Sequence, residues 1–173
     1  MTPTDEFEIS DIINNLKVNT SKGYDGIPIK LLKHCIQSIS PILAHINNSS
    51  LSEGCFPEAL KIAKITPIFK NDNPQLISNY RPISVLSVFS KITEKIVNKR
   101  LIDYLNLNNI LQPNQFGFRQ KHSTSLALIN LIDEISKAMD NHHVTVGIFV
   151  DLAKAFDTVN HNILLKKLDR KST

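Results

Sequence analysis

The seven residues from Val144 to Val150, "VTVGIFV", hold five branched or aromatic apolar side chains, one hydroxyl and one glycine, and they end in the acid Asp151. Their β-branched content and length predict a strand over 144–150. Such a strand has to be buried, so the chain must build cover for it or leave a sticky edge. An ionised carboxylate at the end of a buried strand is costly unless it is hydrogen-bonded, paired or bound to a metal.

Four uses of Asp151 follow from its position alone. It can cap the following turn or helix through backbone N–H groups. A nucleophilic aspartate of the haloacid-dehalogenase kind has a second Asp two residues on, where this chain has Ala153. A phospho-receiver has an acidic pair on an earlier strand, and no comparable run carries one. The remaining use is as a hard-cation ligand in phosphoryl transfer, where carboxylate oxygens hold Mg²⁺ against substrate phosphates.

The rest of the chain reads as α+β, with helices outnumbering strands and no regular βαβ alternation. Ile9, Ile12/Ile13 and Leu16 keep helical spacing. "SKGYDGIP" is a loop in which Asp25 closes a turn between Gly23 and Gly26 or touches RNA, and Pro28 is placed at the first position of the next helix. Ser40-Pro41 is expected to break and restart that helix, and Gly54 to end it. "KIAKITPIFK" reads as an edge strand, and "NDNPQLISNYRPIS" as a polar loop. Val88 to Leu107 reads as a long amphipathic helix with Lys91, Lys95 and Lys99 in one stripe. "LQPNQFGFRQKHST" is a loop, and Leu128, Ile132, Ile135 and Met139 mark another helix. A last helix is expected around Asn162–Leu168.

Cys35 and Cys55 sit among apolar residues without metal-ligand spacing, so buried free thiols are expected. The acidic, polar start "MTPTDEFEIS" and the lack of an apolar run near the roughly 18 residues of a membrane span point to an intracellular protein with no membrane partner. Charge is uneven. Residues 61–122 carry ten Lys/Arg against three acids, whereas residues 1–60 carry four Lys against seven acids. A basic middle third fits a polyanion partner, although a solvated surface accounts for it equally well.

Strand, Asp, four residues and an aromatic, Phe156, is the spacing of polymerase motif A in reverse transcriptases. The segment "FVDLAKAFDTVNH" closely resembles that motif in non-LTR (LINE/jockey-like) retrotransposons. The resemblance continues upstream in the family's order through "KGYDGIP", "KITPIFK", "NYRPISVLS", "FSKITEKIVNKRL" and "LQPNQFGFRQKHST", and covers about Phe7 to Leu168.

This resemblance implies the fingers and partial palm of a right-hand RNA-directed DNA polymerase. Residues 1–142 would form an N-terminal extension and fingers, and residues 143–173 the start of the palm. Asp151 would be a catalytic carboxylate holding Mg²⁺, joined by the backbone carbonyl of Leu152. Phe156 would be the steric gate that favours dNTPs over rNTPs. Lys70 and Arg81 would reach the triphosphate, the guanidinium being suited to phosphate by its planar fork. Phe116, Gly117, Phe118, Arg119 and Lys121 would lie along the template, with RNA template, primer or DNA, and dNTP as partners. Asp157 would fix the turn after the strand, and His142 and His143 would be solvated loop residues.

The family's Tyr-X-Asp-Asp hairpin does not occur in these residues, which end "LLKKLDRKST". The expectation is therefore a fragment that is inactive alone and sticky along the 144–150 edge, with any completing chain unknown. The alternatives are a non-catalytic RNA-binding fingers module and the idle product of a degenerate reading frame.

Overall fold

A computed structural model describes residues 1–152 and 155–172. The chain resolves into two compact units, Met1–Gln112 and Pro113–Thr173.

Helix α1, Glu6–Asn14, opens at Asp5, whose carboxylate accepts the Glu8 N–H at 2.7 Å. Glu6 and Glu8 in the first turn suit the positive end of the helix dipole. Ile9 and Ile13, one turn apart, are fully buried. Helices α2, Ile29–His34, and α3, Ile36–Glu53, follow. Pro28 is the residue before α2 rather than its first, with an extended ψ of 146°. The expected break at Ser40-Pro41 does not occur. α3 runs through Pro41 in its second turn, which forgoes one backbone bond, to Gln37. The tight burial of Ser40, Leu43 and Ala44 holds the helix together there. The interruption lies instead at Cys35, between α2 and α3. α3 ends as expected at Gly54, in the left-handed region at φ 64°. Cys35 and Cys55 are exposed, not buried. Cys35 lies between α2 and α3 and Cys55 just past the end of α3, where the backbone changes direction and the apolar neighbours Leu32 and Phe56 are the more buried.

Helix α4, Val88–Leu107, has the expected bounds and is capped by Ser87, whose hydroxyl accepts the Phe89 N–H. Val88, Ile92 and Ile96 are buried with Ile9, Ile13, Leu16, Ile29, Leu32, Leu43 and Ala44 in one core. Across α1 and α4 lies an ion pair. Arg100 donates Nη1–H and Nη2–H to the two carboxylate oxygens of Glu8 and binds the carbonyls of Thr2 and Pro3. Lys99 also bonds Glu8 at 3.0 Å, and Lys91 Nζ donates to the Ser21 carbonyl, so two members of the lysine stripe are engaged within the fold.

Strands β1, Ala63–Phe69, and β2, Tyr80–Leu86, form an antiparallel hairpin in which Ala63 faces Leu86 and Phe69 faces Tyr80. β2 falls where a loop was expected. Pro82, one of the two prolines that suggested a loop there, stands opposite Pro67 of β1. Neither has an N–H, so the pair fits a non-hydrogen-bonded position of the ladder. The "KGYDGIP" loop closes as expected, with Gly26 N–H on the Gly23 carbonyl and Asp25 Oδ1 accepting the Ile27 N–H. Gly23 lies against the start of α4: a Cβ there would sit 2.7 Å from Ser87 N and Cα.

In the second unit, α5, Thr124–Asp140, is capped by Ser123, and α6 spans His161–Ser172. Val144–Val150 is not a strand; it has no regular structure and its apolar side chains are exposed. Strand propensity is local, but a strand exists only where another backbone pairs with it, and none among the described residues does so. No described residue of this unit is buried. Among the described residues no helix is long and apolar enough to cross a membrane.

Two stability tests follow. The Arg100 guanidinium holds the Glu8 carboxyl far below its ordinary value of 4.5. A depressed carboxyl contributes stability that is fully present above the unfolded value and is lost as pH falls toward the folded one. Glu8→Gln should therefore lower the denaturant-unfolding free energy at pH 7 by about 2 kcal/mol. The gap to wild type should shrink as pH falls below 4.5. Gly23→Ala should destabilise the first unit by about 1–3 kcal/mol, because the obstructing atoms are backbone, read as a lower thermal midpoint.

Candidate functional site

The hairpin gathers the two cations expected at a triphosphate. Arg81 on β2 stands opposite Ile68 on β1. The Lys70 N–H donates to the Asn79 carbonyl at 2.8 Å, which extends the ladder one step past β1. Side chains alternate along a strand, so Lys70 shares a face with Ile68 and is the diagonal neighbour of Arg81. Lys64, opposite Val85, lies farther along the same face. All three cations are exposed, and no acid stands among the strand residues on their side. The opposite face carries Ile65, Pro67 and Pro82, with the Phe69 and Tyr80 rings 5.4 Å apart. The hairpin thus carries its cations on one side only, beside Ile68, Ile83 and Val85, and none on the other.

The connection between the strands is ordered rather than loose. Asn73 Oδ1 accepts the Gln75 N–H, Asn79 Nδ2 donates to the Asn73 carbonyl, and the Tyr80 hydroxyl donates to the Pro74 carbonyl. These bonds fix the end of the hairpin at which Lys70 and Arg81 sit.

In the second unit, the loop expected at the template places Phe116 half-buried beside His122, with rings 5.7 Å apart. The Gly117 carbonyl accepts from Gln115 Nε2, and the Arg119 carbonyl from the His122 N–H. Phe118 and Lys121 both have φ near 60°. A left-handed backbone at a phenylalanine stores strain, which persists only where the surroundings hold it and which clusters at binding sites. The Phe118 ring meets the Phe156 ring edge-on at 5.8 Å and 88°, so this loop and the residue expected as the steric gate are brought together.

Asp151 and Leu152 are exposed. Ala153 and Lys154 lie outside the described residues. The side chain that caps α6 is Asn160, whose Oδ1 accepts the Ile163 N–H at 3.1 Å, not Asp151. Among the described residues no three His, Cys, Asp or Glu side chains converge on one point. Thr158 Oγ1 donates to the Ala155 carbonyl within the turn that holds Asp157. His142 and His143 are exposed, as expected.

Sequence reasoning missed three features of the site. The Asn160 cap was signalled by an Asn before a helical stretch. The shared face of Lys70 and Arg81 required β2, which Pro82 and the preceding Pro74 hid. The strain at Phe118 and Lys121 has no signal in residue type, since neither residue favours a left-handed backbone.

The sequence pattern of the family described as reverse transcriptase (RNA-dependent DNA polymerase) matches residues 68–173. The chain is 36% identical over 164 residues to a probable RNA-directed DNA polymerase from transposon BS of Drosophila melanogaster, covering 94% of this chain and 18% of that protein. It is 34% identical, with the same coverage, to the RNA-directed DNA polymerase from mobile element jockey of Drosophila melanogaster. A 149 kDa protein of transposon TX1 from Xenopus laevis is 26% identical, covering 99% of this chain and 13% of that protein. The chain therefore spans less than a fifth of the length of these relatives.

Asn160→Ala should fray the start of α6 by about 1 kcal/mol, read as roughly fivefold faster amide exchange at Ile163.

Proposed function

The chain belongs to the reverse transcriptase family, and on that premise we propose that it forms the fingers and the start of the palm of a non-LTR retrotransposon RNA-directed DNA polymerase. Residues 1–142 are the N-terminal extension and fingers, and residues 143–173 the first palm segment. It works inside the cell on an RNA template, a primer and dNTPs.

The observation that carries this reading is the shared face of Lys70 and Arg81. Diagonal cations on an ordered hairpin can grip neighbouring phosphates of one triphosphate, Arg81 through two N–H groups and Lys70 as a point charge. The loop Phe116–Lys121 supports a template contact, since Phe118 offers an exposed ring for base stacking and Arg119 and Lys121 offer charge for phosphates. Phe156 serves as the gate, its ring steadied by Phe118.

The oxygen donors at Asp151 and Leu152 are of the kind that Mg²⁺ takes. A bound Mg²⁺ would neutralise phosphate charge and favour in-line displacement. Two-metal phosphoryl transfer takes more than one carboxylate, and the family pattern places only Asp151 among these 173 residues, so they do not supply a complete catalytic set by themselves. The chain's own residues orient the nucleotide, exclude an rNTP and hold the template.

The second reading, a non-catalytic RNA-binding module, draws on the ten Lys/Arg of residues 61–122. The test is a chimera in which this chain replaces the aligned segment of the jockey polymerase. Template-directed dNTP incorporation is expected, falling at least about 10²-fold in Arg81→Ala and to background in Asp151→Ala. Phe156→Val should raise rNTP use relative to dNTP use. The 173-residue chain by itself should incorporate nothing. A chimera that binds RNA in a salt-dependent way but never incorporates dNTP favours the module.

A further inference from the structure

The connection between β1 and β2 carries an acid close to the cations beside it. Residues 70–79 join Phe69 to Tyr80, a longer link than the roughly two to five residues usual in hairpins. A link of that length is loose unless its own bonds order it. Asp72 lies within it, two residues past Lys70. Were β1 to continue, alternation would set Asp72 in the row of Ile68 and Lys70, about 7 Å from Lys70 at Cα. A carboxylate there would pair with Lys70 and compete with any phosphate.

The chain departs from that path. Asp72 takes a left-handed backbone at φ 71°, a conformation that Asp adopts more readily than most side chains. Among the described residues it forms no ion pair with Lys70 or Arg81. Asn73-Pro74-Gln75-Leu76 then closes as a turn with proline in its second position. The Leu76 N–H donates to the Asn73 carbonyl at 3.2 Å, and the Gln75 N–H to Asn73 Oδ1 at 2.9 Å. Two side chains fasten this turn to the foot of β2. Asn79 Nδ2 donates to the Asn73 carbonyl, and the Tyr80 hydroxyl to the Pro74 carbonyl, each at 2.9 Å. Successive residues thus hold successive carbonyls. The Tyr80 ring packs 5.4 Å from the Phe69 ring, so the clasp is anchored on both strands.

We propose that Asn79 and Tyr80 are positioning residues for the triphosphate: they clasp the connection so that Asp72 stays out of the row of Lys70 and Arg81, leaving both cations to phosphate. Neither touches the nucleotide; each acts through where it holds Asp72. The proposal rests on the reading of Lys70 and Arg81 as a triphosphate grip and adds what keeps that grip open. Without the clasp the connection samples extended paths, and on those Asp72 competes as an internal anion.

The measurement is the affinity of the 173-residue chain for dATP with Mg²⁺, read from the ¹⁵N shifts of Lys70 Nζ and Arg81 Nε at physiological ionic strength. Tyr80→Phe removes one hydroxyl and keeps the ring on Phe69. It should weaken binding about fivefold, and Asn79→Ala should do the same. The far-UV helix signal should not change, since the buried core lies in the helices. Adding Asp72→Asn to either variant should recover most of the loss. With the clasp intact, Asp72→Asn should gain less than about twofold, because salt screens a carboxylate held off the row. Arg81→Ala separates this claim from the one it rests on. If Arg81→Ala binds dATP as wild type does, the triphosphate reading fails and the clasp with it. If Arg81→Ala weakens binding, two results overturn the clasp alone: unaltered affinity in both Tyr80→Phe and Asn79→Ala, or an equal gain from Asp72→Asn with and without the clasp.

Discussion

The joint between α1 and α4 is the interaction on which the first unit depends. Ile9 and Ile13 from one helix and Ile92 and Ile96 from the other are fully buried, and no other pair of elements contributes as many side chains of that kind. Burial of this sort is strong but non-directional, so by itself it permits a helix to slide or rotate. The bidentate bond from Arg100 to Glu8 removes that freedom, since a planar fork accepts a carboxylate in few orientations. Arg100 also holds the carbonyls of Thr2 and Pro3, so the segment before α1 is fixed by the same side chain.

From this joint the hairpin inherits its position. β2 runs to Leu86 and α4 begins at Val88, with Ser87 as both hinge and cap. Gly23 closes on Ser87 from the other side, and the Ser90 hydroxyl binds the Leu60 carbonyl just before β1. Both ends of the hairpin are thus fastened near the start of α4, while its far end, with Lys70 and Arg81, extends from the helices. The "KGYDGIP" and "NYRPISVLS" blocks, separated in sequence, meet at this contact, which gives a physical reason for a glycine at position 23.

What the sequence disclosed divides along the line between local and non-local causes. α4 was legible to both ends because its apolar spacing and its Ser87 cap are local signals. The Gly54 stop and the Asp25 turn were legible for the same reason. β2 was not, because two prolines read locally as a loop, and only opposite Pro67 does Pro82 become acceptable. Val144–Val150 failed the other way: its composition is that of a strand, but pairing depends on a second backbone. Cys35 and Cys55 were misplaced because apolar neighbours say little about which way a junction residue points. Of the site, the offset from Asp151 to Phe156 was visible in the chain and acquired meaning through the family. The face shared by Lys70 and Arg81 emerged only from the register.

The central claim is that this face grips a triphosphate. Its most direct measurement is ¹⁵N NMR of the side-chain nitrogens while a dNTP with Mg²⁺ is titrated into the chain. The account predicts that Arg81 Nε and Lys70 Nζ shift together along one binding curve, while Lys64 and the solvent-facing Lys95 move little. Shifts spread evenly over all exposed lysines, or none at Arg81, would contradict it.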